Sequence, residues 1–214
     1  KFLYKIERIS GDGTMTVSHW CRFSQECPIY MPEKGVTEFP VSIAYRMKLE
    51  DSDFKMDSSL IGKVCIFFPS DIDSSLHFHI NAPFASTVAR DNIRNCDEND
   101  KLIEALANLT VESLYYLRDK KLLNYSVYET LPELREYYSD YARKFYKKLP
   151  NWESYQKNKY AIFADKIYEE FLKSDLFITE EAEYSTIQKI FKAPKDIKLI
   201  LPAVYVNKLY GRNW

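Results

Sequence analysis

From residue 2 to about residue 85, apolar and polar positions alternate with a period near two, in runs rich in β-branched and aromatic residues bounded by Gly, Pro and Asp clusters. Such spacing sends successive side chains to opposite faces of an extended chain and predicts antiparallel strands. Phe2 to Ile9 and Met15 to Phe23 flank Ser10-Gly11-Asp12-Gly13-Thr14, a hairpin signal because Asp and Gly tolerate positive φ. No helix follows this glycine pair, so it reads as turn chemistry and not as a phosphate loop. Val41 to Met47 and Lys63 to Phe68 are two more strands, and alternation in the latter predicts a buried Phe67. The polar stretch Glu50 to Ser59 reads as a loop, and His77 to Phe84 completes the sheet.

Beyond Arg90 the period becomes helical. Asp97-Glu98-Asn99-Asp100 offers capping oxygens and favourable negative charge to a first turn, and Leu102, Ile103, Leu106, Leu109, Leu114 and Leu117 form the stripe that packs on the sheet. After a break at Leu123-Asn124-Tyr125, Thr130-Leu131-Pro132-Glu133 starts a second helix that runs to about Lys148. Pro150-Asn151 introduces a third, from Trp152 to Lys173, with Tyr160, Phe163, Ile167 and Phe171 on one face. Lys198 to Pro202 reads as a short strand. The expected class is α+β: a mostly antiparallel sheet covered by helices over residues 1–123, then a helix-rich C-terminal part over 124–214.

A chain of 214 residues buries enough apolar surface to fold without staples. Its 30 basic and 31 acidic side chains nearly cancel, so no global field draws it to nucleic acid or an acidic membrane. Cys21, Cys27, Cys65 and Cys96 lack paired metal-site spacing, and no secretory signal is present, so reduced thiols in a cytoplasmic protein are expected. No apolar run approaches the roughly 20 residues that span a bilayer. The first residues already alternate like a strand and carry no initiator methionine, which points to a piece of something longer.

Several side chains could carry chemistry. His77 and His79 alternate along a strand and would share a face, as metal ligands do; His19, Cys21 and Cys27 form a second conceivable cluster. Neither has an evident remaining ligand, and no metal is expected. Cys65 sits in an apolar strand, where a thiol is usually inert packing. Arg143-Lys144-Phe145-Tyr146-Lys147-Lys148 interleaves cations with aromatics, a mixture able to bind phosphate backbones, or else a solvated basic face on a helix whose Tyr138, Tyr141 and Phe145 pack inward.

The run His77-Phe78-His79-Ile80-Asn81-Ala82-Pro83-Phe84-Ala85-Ser86-Thr87-Val88-Ala89-Arg90-Asp91-Asn92-Ile93-Arg94 is a strand followed by a polar turn that delivers two arginines to a helix start. It resembles the Leu-Asn-x-Ser-Arg-Glu strand end of the ninety-kilodalton heat-shock chaperones. It is closer still to the sacsin-like ATPases, with Pro-Phe-His-Ile-Asn-Ala-x-Phe and then Ser-x-x-Arg. The resemblance spans roughly Lys63 to Leu123, with Val64-Cys65-Ile66-Phe67-Phe68-Pro69 where the sacsin-like pattern has an apolar run ending in Leu-Pro. Val41-Ser42-Ile43-Ala44-Tyr45 is similar to the strand before that run.

What the resemblance implies is the middle, transducer-like segment of a GHKL ATPase with a split β-α-β fold. Arg90 would reach the terminal phosphate of a nucleotide held by an upstream ATP-binding domain, with Arg94, Ser86 and Asn81 in support. A planar, permanently charged guanidinium suits that task. The pocket itself is not in this sequence: the helix-borne acid and asparagine, the Asp-x-Gly-x-Gly motif and the Gly-rich lid are all missing, and the chain has five glycines in total. ATP and magnesium are therefore expected only with the upstream domain, and the chain alone is expected to be catalytically silent. A protein client is a conceivable partner, and nucleic acid is not expected. The rival reading is a nucleic-acid or protein interaction module that uses the basic-aromatic helix face.

Overall fold

The computed structural model describes residues 2–31, 33–50, 53–74, 76–88, 92–132, 159–179 and 182–190. Strands β1 (Leu3–Ile9), β2 (Met15–Met31) and β3 (Gly35–Glu50) form an antiparallel meander, extended by β4 (Asp53–Met56) on β3. Strands β5 (Lys63–Ile66) and β6 (Phe68–Asp73) make a second hairpin, and β7 (His79–Asn81) inserts between the two groups, antiparallel to β3 and parallel to β5. The seven strands run β1-β2-β3-β7-β5-β6, with β4 beside β3. The architecture is α+β with a mostly antiparallel sheet, as the alternation predicts.

The turns follow local chemistry. Gly13 adopts φ 83°, Ser10 N–H donates to Thr14 C=O at 2.9 Å, and the Asp12 carboxylate accepts from the Thr14 amide at 3.0 Å. Gly35, at φ 70°, serves the β2–β3 turn in the same way.

Strand lengths depart from the sequence reading. Strand β2 runs eight residues past Phe23, through Pro28, and β3 begins at Gly35, through Pro40. The β1 pairing stops at Cys21 and the β7 pairing covers only Ser42 to Ala44, so among the described residues both prolines lie where their strand is paired on one side alone and needs no second N–H donor. The stretch Glu50 to Ser59, read as a loop, contains β4, which pairs Met47–Glu50 with Met56–Asp53. The expected strand His77–Phe84 shrinks to His79–Asn81. Lys63 to Phe68 breaks at Phe67, which takes φ 62° and is 72% exposed at the β5–β6 tip. The expectation of a buried Phe67 is thereby corrected: a one-residue turn between paired Ile66 and Phe68 throws its side chain outward.

Helix α1 (Asp97–Asp119) buries the predicted stripe together with Ala107, Thr110, Val111 and Ser113. It covers β2 and β3, where Tyr45 OH and Ser113 Oγ lie 3.2 Å apart and Gln25 Nε2 donates to Ala105 C=O at 3.1 Å. After the single turn α2 (Tyr125–Tyr128), capped by the Asn124 side chain accepting from Ser126 N–H, the described chain resumes with α3 (Ala161–Lys173). Phe163, Ile167 and Phe171 of α3 are buried, as predicted, as is Tyr160 just before it. Phe163 packs on Phe78, with ring centroids 6.0 Å apart, and Tyr115 OH of α1 donates to Glu170 Oε2 at 2.6 Å. A two-stranded hairpin, β8 (Phe177–Ile178) with β9 (Tyr184–Ser185), closes the described part. One apolar cluster runs from Cys21 to Leu176 and contains Tyr45, Phe78, Leu106, Phe163 and Phe171.

A helix-rich C-terminal part is not found among the described residues: past residue 124 they hold α2, α3, a small hairpin and the 3-10 turn Ile187–Lys189. The predicted helix to Lys148, the first turns of the predicted third helix and the predicted strand Lys198–Pro202 lie outside the described residues.

Candidate functional site

The segment singled out by sequence leaves the sheet at the end of β7. Ile80, Ala82 and Phe84 are buried, so the chain stays in contact with the core until Phe84 and only then turns out. Ser86 and Ile93 form an isolated antiparallel bridge, Thr87 N–H donates to Asn92 C=O at 2.9 Å, and Arg94 N–H donates to Ala85 C=O at 2.8 Å. Ala85–Thr87 is thereby paired with Asn92–Arg94 at the base of the loop that links them, and Val88, just past the pairing, is fully exposed. Arg90 lies outside the described residues.

Two side chains secure the base of this loop. Asn99, in the first turn of α1 and 1% exposed, accepts from Ala85 N–H at 2.9 Å and donates to Ala85 C=O at 2.9 Å and Arg94 C=O at 2.8 Å. A primary amide is the group that can face an N–H and two carbonyls at once. From the other side, Lys159 Nζ donates to Ile93 C=O at 3.1 Å, with Asn95 Oδ1 at 3.4 Å and Asn92 Oδ1 at 3.5 Å. Partial burial lowers the Lys159 pKa, opposed by the nearby Asp100 carboxylate. Neither residue was singled out as part of the site by the sequence. Asn99 reads there as one of four capping residues, and Lys159 lies 65 positions from Arg94 with no local motif around it.

The arrangement of the arginines differs from the expected one. Residues 92–96 are not helical and α1 begins at Asp97, so the helix starts later than the change of period beyond Arg90 suggests, and Arg94 lies ahead of it, in the segment paired with Ala85. Its side chain is exposed and close enough to help keep the Glu98 carboxyl below its usual range, an effect led by the Glu98 backbone amide. Ser86 is half-buried within the bridge. Asn81 belongs to the sheet, paired with Ser42 and Cys65, and its buried Oδ1 has no hydrogen-bond partner among the described residues. Ser86 and Arg94 thus belong to the loop, while Asn81 belongs to the sheet that carries it.

The other candidates fall into structural roles. His77 precedes β7 and its Nδ1 lies 3.2 Å from Leu60 C=O, while His79 Nδ1 accepts from Lys63 N–H at 2.9 Å and its ring stacks on Trp20 at 5.2 Å. Burial, then the charges of Arg46 and Lys63, push the His79 pKa down. The His19 ring packs on Phe54, and Cys21 and Cys27 are buried six residues apart on one strand, on the order of 20 Å, too far to share an ion. Burial raises the Cys65 thiol and pushes Cys21 up to about 12, so neither supplies a ready thiolate. Among the described residues no group of three or more His, Cys, Asp or Glu could hold a metal ion, and no helix is long and apolar enough to cross a membrane. The basic-aromatic run Arg143–Lys148 lies outside the described residues.

Comparison with protein-family models, with curated proteins and with solved structures found no match for this chain.

Proposed function

We propose that this chain acts as the middle segment of a chaperone-like GHKL ATPase of the sacsin-like kind. In that role it offers Arg90 to the terminal phosphate of a nucleotide bound by an upstream domain and relays the nucleotide state to downstream elements and a client protein in the cytoplasm. The observation that carries this reading is the loop from Ala85 to Arg94, closed by backbone hydrogen bonds and secured at its base by Asn99 and Lys159. A residue that must meet a phosphate across a domain gap gains from such a mounting, because a fixed base limits the entropy lost on contact. The parallel pair β5–β7 with α1 following β7 onto the sheet is compatible with a split β-α-β transducer. The chain's own contribution is positional and electrostatic; ATP and magnesium would be held by the upstream domain.

Isothermal calorimetry of the chain alone with ATP should register no binding, and micromolar affinity would overturn the reading. In the chain joined to its ATP-binding domain, Arg90→Ala should lower turnover roughly tenfold or more and change nucleotide affinity less, because a contact made to developing charge acts on rate. Arg94→Ala, in the returning strand, should have the smaller effect. Unchanged turnover in the Arg90 variant, together with salt-dependent oligonucleotide binding, would favour an interaction module instead.

A further inference from the structure

Strand β1 is the outer strand on its side of the sheet, and all seven of its residues are exposed. Phe2 C=O accepts from Arg22 N–H and Ser10 N–H donates to Thr14 C=O, so the backbone groups of the even-numbered residues point toward β2. Those of Leu3, Lys5, Glu7 and Ile9 consequently point outward, with no strand pairing them among the described residues. Leu3, Ile6 and Ile9 are 44%, 51% and 72% exposed, an apolar load that an unpaired edge carries at the risk of promiscuous pairing.

The sequence Leu3-Tyr4-Lys5-Ile6-Glu7-Arg8-Ile9 is complementary to itself when reversed about Ile6. Two antiparallel copies centred there place Lys5 opposite Glu7, Leu3 opposite Ile9, Tyr4 opposite Arg8 and Ile6 opposite its own copy. The outward-pointing residues then meet in hydrogen-bonded pairs, and Ile6 falls on the two-fold axis as a closely spaced, non-hydrogen-bonded pair. Shifting the centre by one residue sets Lys5 against Lys5 or Glu7 against Glu7, each repulsive and each with a shorter overlap. Only the Ile6 centre satisfies backbone parity, charge and length together. We propose that β1 is a self-association edge, through which a second copy of this chain adds its own β1 antiparallel and continues the sheet across both molecules.

Seven residues per copy make a contact at the small end of specific interfaces, so the dimer should be concentration-dependent, with a dissociation constant on the order of tens of micromolar. Sedimentation velocity over a concentration series tests it. Lys5→Glu and Glu7→Lys should each weaken association by at least tenfold, since each brings like charges together twice per dimer. An equimolar mixture of the two variants should recover wild-type association, because Glu now faces Lys at both sites. Amide exchange gives a second readout: Lys5, Glu7 and Ile9 should exchange quickly in dilute protein and slowly in concentrated protein, whereas Tyr4, Ile6 and Arg8 stay protected throughout. A wild-type chain that remains monomeric, single variants that associate as well as wild type, or a mixture that fails to recover would each overturn the proposal. So would slow exchange of the Lys5, Glu7 and Ile9 amides in dilute monomer, which would place another segment on this edge.

Discussion

Asn99→Ala tests how firmly the candidate loop is mounted. The substitution removes three hydrogen bonds of 2.8 to 2.9 Å made by a side chain that is 1% exposed. Each bond contributes about 1 kcal/mol net, or about 3 kcal/mol in all. Two terms reduce that figure. Ala85 and Arg94 are exposed, so water can replace part of what Asn99 supplied, and Ala85 C=O keeps its bond from Arg94 N–H. Alanine is also the better helix former by about 0.5 kcal/mol. The expected loss is therefore about 2 kcal/mol in a urea melt, accompanied by faster exchange of the Ala85 and Arg94 amides while the amides of β2 and β3 keep their rank. Asn99→Asp should be worse at neutral pH despite its favourable place at a helix start. A carboxylate can still accept from Ala85 N–H but would face two carbonyl oxygens from a buried position, which raises its pKa. With the folded pKa above the unfolded value of about 3.9, that variant should regain stability as the pH falls through the folded pKa. A loss below about 0.5 kcal/mol for Asn99→Ala, or a loss without any change in loop exchange, would refute the idea that this amide holds the loop.

Three further outcomes follow from the geometry. Phe67→Ala should cost less than about 1 kcal/mol in a denaturant melt, and Phe67→Gly should be neutral or stabilising by up to about 1 kcal/mol, because the side chain is exposed and φ is 62°; a loss of 3 kcal/mol or more, the usual figure for a buried phenylalanine, would mean that the tip is buried. Gly62→Ala should destabilise by about 3 kcal/mol or more, since its Cβ would collide with Phe78 C=O and come within 2.6 Å of Leu76 C=O, and backbone must move; a wild-type melting temperature would contradict that packing. Because the His79 pKa is lowered in the folded state from an unfolded value of about 6.5, the unfolded chain takes up the proton first and stability should fall as pH drops below about 6.5. Histidine NMR titration and urea midpoints of the wild type and His79→Gln check this, and an His79 that titrates above 6.5 would reverse the sign.

The sequence by itself determined the elements whose chemistry is local. Alternation over residues 2–85 marked a sheet, the Asp12-Gly13 turn was legible because positive φ at Gly13 is a property of that residue alone, and the spacing of Leu102 through Leu117 defined the inner face of α1. The same spacing in α3 identified Phe163, Ile167 and Phe171 as core. What the sequence could not determine were features fixed by neighbours distant along the chain. Pro28 and Pro40 look like strand ends until it is known that, among the described residues, β2 and β3 are each paired on one side alone beside them, and Asp53–Met56 looks like a loop until β3 provides a partner for it. Phe67 alternates like a core residue, yet the return of β6 onto β5 turns it outward. The loop motif shows the same division. Its residues were visible in sequence, but its support was not, because Asn99 reads as an ordinary capping residue and Lys159 carries no signal until α3 packs beside α1 and brings it to Ile93. Periodicity encodes which face of an element is apolar; which faces meet, and which polar groups must then satisfy one another, is decided only when the elements pack.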